Sequence, residues 1–186
     1  MRIRLAQTED APAIAALLML ATGEVILRLL GEKNQTEAEA LLLYFVQRPS
    51  NQYSYENCYV AEENGEIIGA LLAYDGAQLE ALRNPVLNHI REHFNPEVSL
   101  EDETEAGEFY IDSLGISPNH QGKGIGSRLL QHLIQDKVFE EGHTLGLLVD
   151  KTNPSAKKLY LKVGFQPVGE KTLLGIELEH LQLKKQ

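Results

Sequence analysis

The stretch Ile111-Asp-Ser-Leu-Gly-Ile-Ser-Pro-Asn-His-Gln-Gly-Lys-Gly-Ile-Gly126, which runs on into Ser127-Arg-Leu-Leu-Gln-His-Leu-Ile134, decides how this chain folds. Its apolar start predicts a buried strand, its glycines a tight turn, and the apolar spacing after Gly126 an amphipathic helix. A strand that turns through glycines into a helix forms an anion site. Unpaired N–H groups of the helix start point outward, the helix dipole adds positive potential, and glycine lets a phosphate approach the backbone closely. Two widespread phosphate motifs do not fit these residues. The P-loop needs Ser or Thr after its lysine, but Lys123 is followed by Gly124, and the dinucleotide fingerprint needs glycine where Ser127 stands. What remains is Gln121-x-x-Gly124-x-Gly126 behind an apolar strand.

A second stretch, Leu147-Leu-Val-Asp-Lys-Thr-Asn-Pro-Ser-Ala-Lys-Lys-Leu-Tyr-Leu-Lys-Val-Gly-Phe165, carries its own punctuation. Asn153 is a favoured N-cap, Pro154 suits the first helical position, and Gly164 suits the left-handed residue past the end. A short helix over 154–162 is thereby bracketed. Together the two motifs resemble the GNAT superfamily of acyl-CoA-dependent N-acyltransferases. The first is similar to that family's pyrophosphate loop. The second, with Leu159-Tyr160 and Gly164-Phe165, is similar to its later segment. Their order and separation also match.

The resemblance implies an α/β (α+β) fold, with a central mixed, mostly antiparallel sheet flanked by helices. It covers nearly all of residues 1–186, read as one domain, and is weakest over 75–107, an expected insertion governing acceptor specificity. It further implies acetyl-CoA as cosubstrate. Gln121, Gly122, Lys123, Gly124, Ile125, Gly126 and Ser127 would hold the pyrophosphate, and the backbone of Leu114, Gly115 and Ile116 would pair with the pantetheine arm. Asn153 would contact that arm, and Tyr160 would sit beside the sulfur.

Acyl transfer sets further demands. The oxyanion formed when an amine attacks the thioester needs a backbone N–H, which the resemblance places near Leu114. The leaving thiolate needs a proton donor; by the same resemblance this is Tyr160, a phenol of pKa about 10 facing a thiol of about 8.5. The amine must lose a proton. Glu108 and Asp112 lie four apart, on one face of an extended strand. The resemblance implies a carboxylate base on this strand, acting directly or through water, with Asp112 nearer the loop. The alternatives are that a water chain serves as base or that both carboxylates simply face solvent. Gly115 inside a strand indicates a bulge or a close backbone approach.

The chain has 186 residues, 43% of them hydrophobic, and a net charge of −10. That length builds a core without disulfide or metal staples. The acidity argues against nucleic acid as a partner. Between Arg91 and Lys123 there is no Lys or Arg, while Glu92, Glu97, Glu101, Asp102, Glu103, Glu105, Glu108 and Asp112 crowd together. This segment is either a solvated loop or a field that attracts a cationic acceptor. Cys58 is the one cysteine, expected as a small buried hydrophobe. No apolar run near the roughly 20 residues of a membrane span is read here, and no leader is evident before the first strand, so a cytoplasmic chain without a membrane partner is expected.

Elsewhere the patterns predict a strand over 1–7, a helix from Thr8 broken near Gly23, and a helix over 36–47. A hairpin over 58–74 turns at Asn64-Gly65, and a helix covers 79–94. A strand spans 144–149, and a final strand or hairpin spans 172–183, with a bulge or exposed edge after His180. An exposed terminal edge permits a homodimer. His89-Ile-Arg-Glu92-His93 matches H-x-x-E-H, but the acyltransferase motifs already account for the fold, so no metal is expected. The implied activity is acetyl transfer from acetyl-CoA to a primary amine in a ternary complex. The acceptor would be a small cationic metabolite or antibiotic. The alternatives are a protein N-terminal or lysine acetyltransferase and a catalytically silent CoA-binding sensor.

Overall fold

The structure, a computed structural model, describes residues 1–31 and 34–185. Its frame is one seven-stranded sheet: β1 (Arg2–Leu5), β2 (Cys58–Glu63), β3 (Glu66–Asp75), β4 (Phe109–Ile116), β5 (Leu145–Asp150), β6 (Gln166–Leu173) and β7 (Ile176–Leu183). They lie side by side in the order β1-β2-β3-β4-β5-β7-β6. Only β4 and β5 run parallel; every other neighbouring pair is antiparallel. This is the mixed, mostly antiparallel sheet that the resemblance implies.

Helices cover both faces. Against one lie α1 (Ala11–Leu30), α2 (Gln35–Val46) and α3 (Leu79–His93), closing a core that includes Ile14, Leu18, Leu42, Leu72 and Ile90. Against the other lie α4 (Ile125–Leu133), which continues as a π-helical segment over Ile134–Glu140, and α5 (Pro154–Lys162). They bury Leu71, Ile111, Leu129, Leu133, Leu147 and Phe165. Burying one such side chain contributes about 1.5–3 kcal/mol, so these two layers hold the strand ends in place.

Local signals explain most boundaries. Asn64 and Gly65 take φ of 53° and 82°, the pair of left-handed residues a tight hairpin turn needs. Asn153 caps α5 through its side chain, which accepts from the Ala156 N–H at 3.1 Å, and Gly164 follows at φ 111°.

Four expectations are corrected. The first helix is not broken at Gly23: α1 runs on to Leu30 because Gly23 is buried and the Met19 side chain lies over its bare Cα. An apolar helix of membrane length does exist, since Thr8–Leu30 has a mean hydropathy of 2.0 in its most apolar window, half of which is buried in the core. The last hairpin begins at Gln166, not Thr172. The register shift lies in β6 between Pro167 and Gly169, opposite Leu181 and His180, and β7 is an interior strand while β6 forms the edge.

Candidate active site

The parallel strands β4 and β5 pair at only three positions, Phe109 with Leu145, Tyr110 with Gly146 and Ile111 with Leu147. Beyond Ile111 they part, so the β4 edge from Asp112 to Ile116 has no strand against it on that side. The same stretch is kinked. Leu72 pairs with Ser113 and Ala73 with Ile111, which leaves Asp112 as an extra, bulged residue. A bulge re-aims side chains. Here Ile111 enters the α4 core, whereas Tyr110, Asp112 and Ser113 all line one pocket.

Gly115 is held by packing. A Cβ there would lie 2.1 Å from the Leu17 carbonyl oxygen of α1, so the close approach belongs to the helix behind the strand. Gly126 has a milder version of the same constraint, with Leu159 3.4 Å from its missing Cβ. Gly122 and Gly124 differ. Both have positive φ, 73° and 79°, with nothing within 4 Å of a Cβ position, so they form an open concave turn. Gln121 ties the turn to β4 by donating from Nε2 to the Ile116 carbonyl at 3.2 Å. The first bond of α4 runs from Arg128 N–H to Gly124 O, which leaves the amides of Ile125, Gly126 and Ser127 directed out of the helix end. The Ile125 side chain is buried beneath Gly69, and that of Lys123 is exposed.

The pocket, about 350 Å³, opens between α1, the loop before β2, the diverging strands, α5 and the β6–β7 hairpin. Leu114, Asn153, Ala156 and Tyr160 line one side, and Gln52, Tyr53, Glu103 and Asp112 the other. A second hollow, of about 470 Å³, over Tyr59, Phe109 and Asp136 contains no residue of either motif.

The acetyltransferase (GNAT) family model matches residues 26–165. The chain belongs to that family. A 62-residue stretch, 33% of the chain, is 42% identical to the N-alpha-acetyltransferase RimI of Mycobacterium tuberculosis (strain ATCC 25618 / H37Rv), and it spans 37% of that protein. An N-acetyltransferase from Staphylococcus aureus Mu50 shares the fold with a TM-score of 0.86 at 23% identity, over 98% of this chain and 100% of that one. Another solved acetyltransferase matches at 0.79 and 32% identity over the whole of both chains. This GNAT chain is therefore an acetyltransferase.

The GNAT family uses acetyl-CoA, and the residues present fit that group. The open turn at Gly122 and Gly124 leaves room at a helix start with free amides, and the unpaired β4 edge suits a peptide-like arm. Asn153 commits its Oδ1 to the α5 cap, leaving its amide nitrogen for the pocket. The half-buried Tyr160 phenol is raised to about 12 by burial, so it stays protonated at neutral pH, as a donor must. It is also a weaker acid than a thiol of about 8.5. Its first contribution to a leaving thiolate is therefore a hydrogen bond rather than a completed proton transfer.

The two strand carboxylates part company. Glu108 is buried and satisfied by Thr104 Oγ1 at 2.7 Å, His180 Nε2 at 2.9 Å and Gln182 Nε2 at 2.8 Å. It fills the space of a side chain at Gly146 and does not line the pocket. It ties β7 to the start of β4. Asp112 does line the pocket, accepting from Gln52 Nε2 at 2.8 Å, Ser113 Oγ at 2.7 Å and Tyr74 OH at 3.1 Å. Burial raises its pKa in spite of these donors.

Sequence reasoning did not single out Gln52, Tyr74 or Glu103 for this site. Glu103 is 6% exposed and accepts from Gln52 Nε2 at 2.5 Å and Tyr74 OH at 2.8 Å. Burial, and then the Asp112 charge, push its pKa up to about 8. The segment read as an acidic loop is thus divided, with Glu101, Asp102 and Glu105 exposed while Glu103 and Glu108 turn inward. On α3, His89 stacks on Tyr44 with centroids 4.7 Å apart, and no metal-binding group of side chains occurs among the described residues.

Proposed function

We propose that this GNAT enzyme transfers the acetyl group of acetyl-CoA to the primary amine of a small cationic acceptor, by direct attack within a ternary complex. The observation that carries this reading is one pocket that joins Tyr160 and Asn153 to Asp112 and whose charged lining residues, Glu24, Glu103, Asp112 and Asp150, are all acids. Such a lining concentrates an ammonium ion and disfavours an anion.

Bound acetyl-CoA supplies the acyl thioester. The turn from Gln121 to Ser127 holds the pyrophosphate with backbone amides, aided by Lys123. The free edge at Leu114, Gly115 and Ile116 pairs with the pantetheine arm, and an N–H near Leu114 faces the carbonyl oxygen as it gathers charge. Asp112 takes a proton from the acceptor ammonium, and Tyr160 hydrogen-bonds the departing sulfur. Residues 1–186 act as one catalytic domain. Leu100 and Glu103, within the segment 75–107, wall the acceptor side, consistent with a role in specificity. A cytoplasmic location fits α1 serving as a core helix.

The RimI likeness favours a second reading, an acceptor presented as a protein N-terminus. One assay separates the two. Free-thiol release from acetyl-CoA is followed against polyamines, aminoglycosides, amino acids and short peptides in separate wells, alongside the melting temperature with acetyl-CoA. Release with a small polycation supports the reading, whereas release with peptides alone replaces the acceptor. Absence of both release and thermal shift overturns the coenzyme site.

A further inference from the structure

Around Gln52 and Tyr74 the hydrogen bonds do not close without an added proton. The Gln52 amide brings two protons and the Tyr74 hydroxyl one. Yet Gln52 Nε2 and Tyr74 OH each touch both Glu103 Oε1 and Asp112 Oδ2, at 2.5, 2.8, 2.8 and 3.1 Å, and also touch each other at 3.1 Å. A proton on one carboxyl gives each of the four contacts to carboxyl oxygens its own hydrogen and leaves the Gln52–Tyr74 contact at 3.1 Å as a simple approach of the two groups. Two carboxylates pressed against the same two atoms in a buried place also repel, which favours the same result.

Two further groups in this cluster lack partners. Tyr53 is 3% exposed and Tyr110 4% exposed. Both line the pocket, and neither hydroxyl makes a hydrogen bond among the described residues. Neither phenol oxygen is a buried atom left without a partner, so both hydroxyls open onto the pocket, where a ligand can take up their hydrogen bonds. An alkylammonium has three N–H donors to give, and the carboxylates and these two phenol oxygens are acceptors for them.

We propose that Glu103 and Asp112 act as one carboxyl pair, holding a single shared proton when the acceptor is absent. This pair, rather than Asp112 alone, binds and deprotonates the acceptor ammonium. The inference rests on the acceptor lying in this pocket. The doubly ionised pair is the working base. An ammonium N–H bond breaks and its proton passes to a carboxylate oxygen, freeing the nitrogen lone pair. That pair of electrons forms the C–N bond at the thioester carbonyl. The C–S bond breaks with its electrons on sulfur, and the second nitrogen proton neutralises the thiolate. The proton on the pair leaves to water with the amide product. Burial suits the pair to this task, because an ordinary carboxylate near 4 is a poor match for an alkylammonium of about 10.

The groups facing the pair come from several elements. Cys58 of β2, Tyr74 of β3 and Tyr110 of β4 feel the Asp112 charge, as does Tyr53; Arg83 of α3 draws Glu103 downward. Lys171 of β6 donates to the Glu103 carbonyl at 3.3 Å, while Glu24, Asp150 and Tyr160 share the pocket. The acids Glu24 and Asp150 are matched in number by Arg83 and Lys171, so retention of the proton rests on burial and on the repulsion within the pair itself.

Two measurements test the pair. Carboxyl difference infrared spectroscopy on the enzyme without substrates should show a protonated carboxyl that titrates well above the ordinary carboxylate range in the wild type. It should titrate lower in both Glu103→Gln and Asp112→Asn, since each removes the other's like charge. The acceptor kcat/KM should fall as pH drops through that upper titration, and Glu103→Gln should move this acid limb down by about one pH unit or more while Asp112→Asn loses about 10²-fold or more. A wild-type carboxyl that titrates in the ordinary range, or an acid limb unmoved in Glu103→Gln, overturns the pair. The infrared titration needs no turnover, so it decides the pair even if no amine is acetylated.

Discussion

Tyr160 shows how one residue's environment limits the role it can take. Its spacing after Asn153 points to the sulfur, and its place on the pocket wall agrees. Burial raises the phenol to about 12, so acid catalysis in the strict sense is uphill, and what the residue offers is a directed hydrogen bond. Tyr160→Phe should therefore lower kcat by about 10²-fold. It should shift coenzyme affinity by less than about 1.4 kcal/mol, a tenfold change. Steady-state kinetics paired with calorimetric coenzyme titration reads both quantities; an unchanged kcat removes Tyr160 from the chemistry. Glu108 makes the opposite case. As a residue it has every attribute of a base except access, because Thr104, His180 and Gln182 already occupy its carboxylate.

At the scale of elements, the turn into α4 works because Gly122 and Gly124 adopt positive φ over open space. Gly124→Glu leaves no clash to unfold the protein, and the left-handed backbone costs about 1–2 kcal/mol. It sets a carboxylate against the helix start where an anion belongs. The variant should fold and lose the melting-temperature rise that acetyl-CoA gives the wild type, and an undiminished rise would reassign the turn. This junction was legible in sequence, as were the Asn64-Gly65 hairpin and the bounds of α5, since each is specified by residues next to one another. β6 was not: Gln166–Leu173 is exposed along nearly its whole length, so no alternation marks it, and it is held by backbone pairing to β7. The carboxyl pair was also hidden. Gln52 lies 22, 51 and 60 residues from Tyr74, Glu103 and Asp112, and only the β4 bulge and the turned-in acidic segment bring them together.

Taken as a whole, the molecule must bind a polyanion and, on the proposed reading, a cation while carrying a net charge of −10. The fold separates the two tasks along the split sheet. The turn over 121–127 has Lys123 as its one formal charge and relies on backbone amides, which are neutral and need no basic surface. The pocket across β4 collects acids; of these Glu24 is paired with Arg28 at 2.7 Å, while Glu103, Asp112 and Asp150 have no ion-pair partner among the described residues. Charge on that pocket and on the surrounding surface draws a cationic acceptor from a distance, and salt weakens such attraction once the screening length falls below about 10 Å. Raising ionic strength from about 0.02 to about 0.5 M should therefore raise the acceptor KM several-fold. It should leave kcat nearly constant, because the buried pair that acts on the bound amine is shielded from mobile ions. A flat KM would show that the acids serve only at contact, and a kcat that falls in step with binding would place the base in solvent rather than at Glu103 and Asp112.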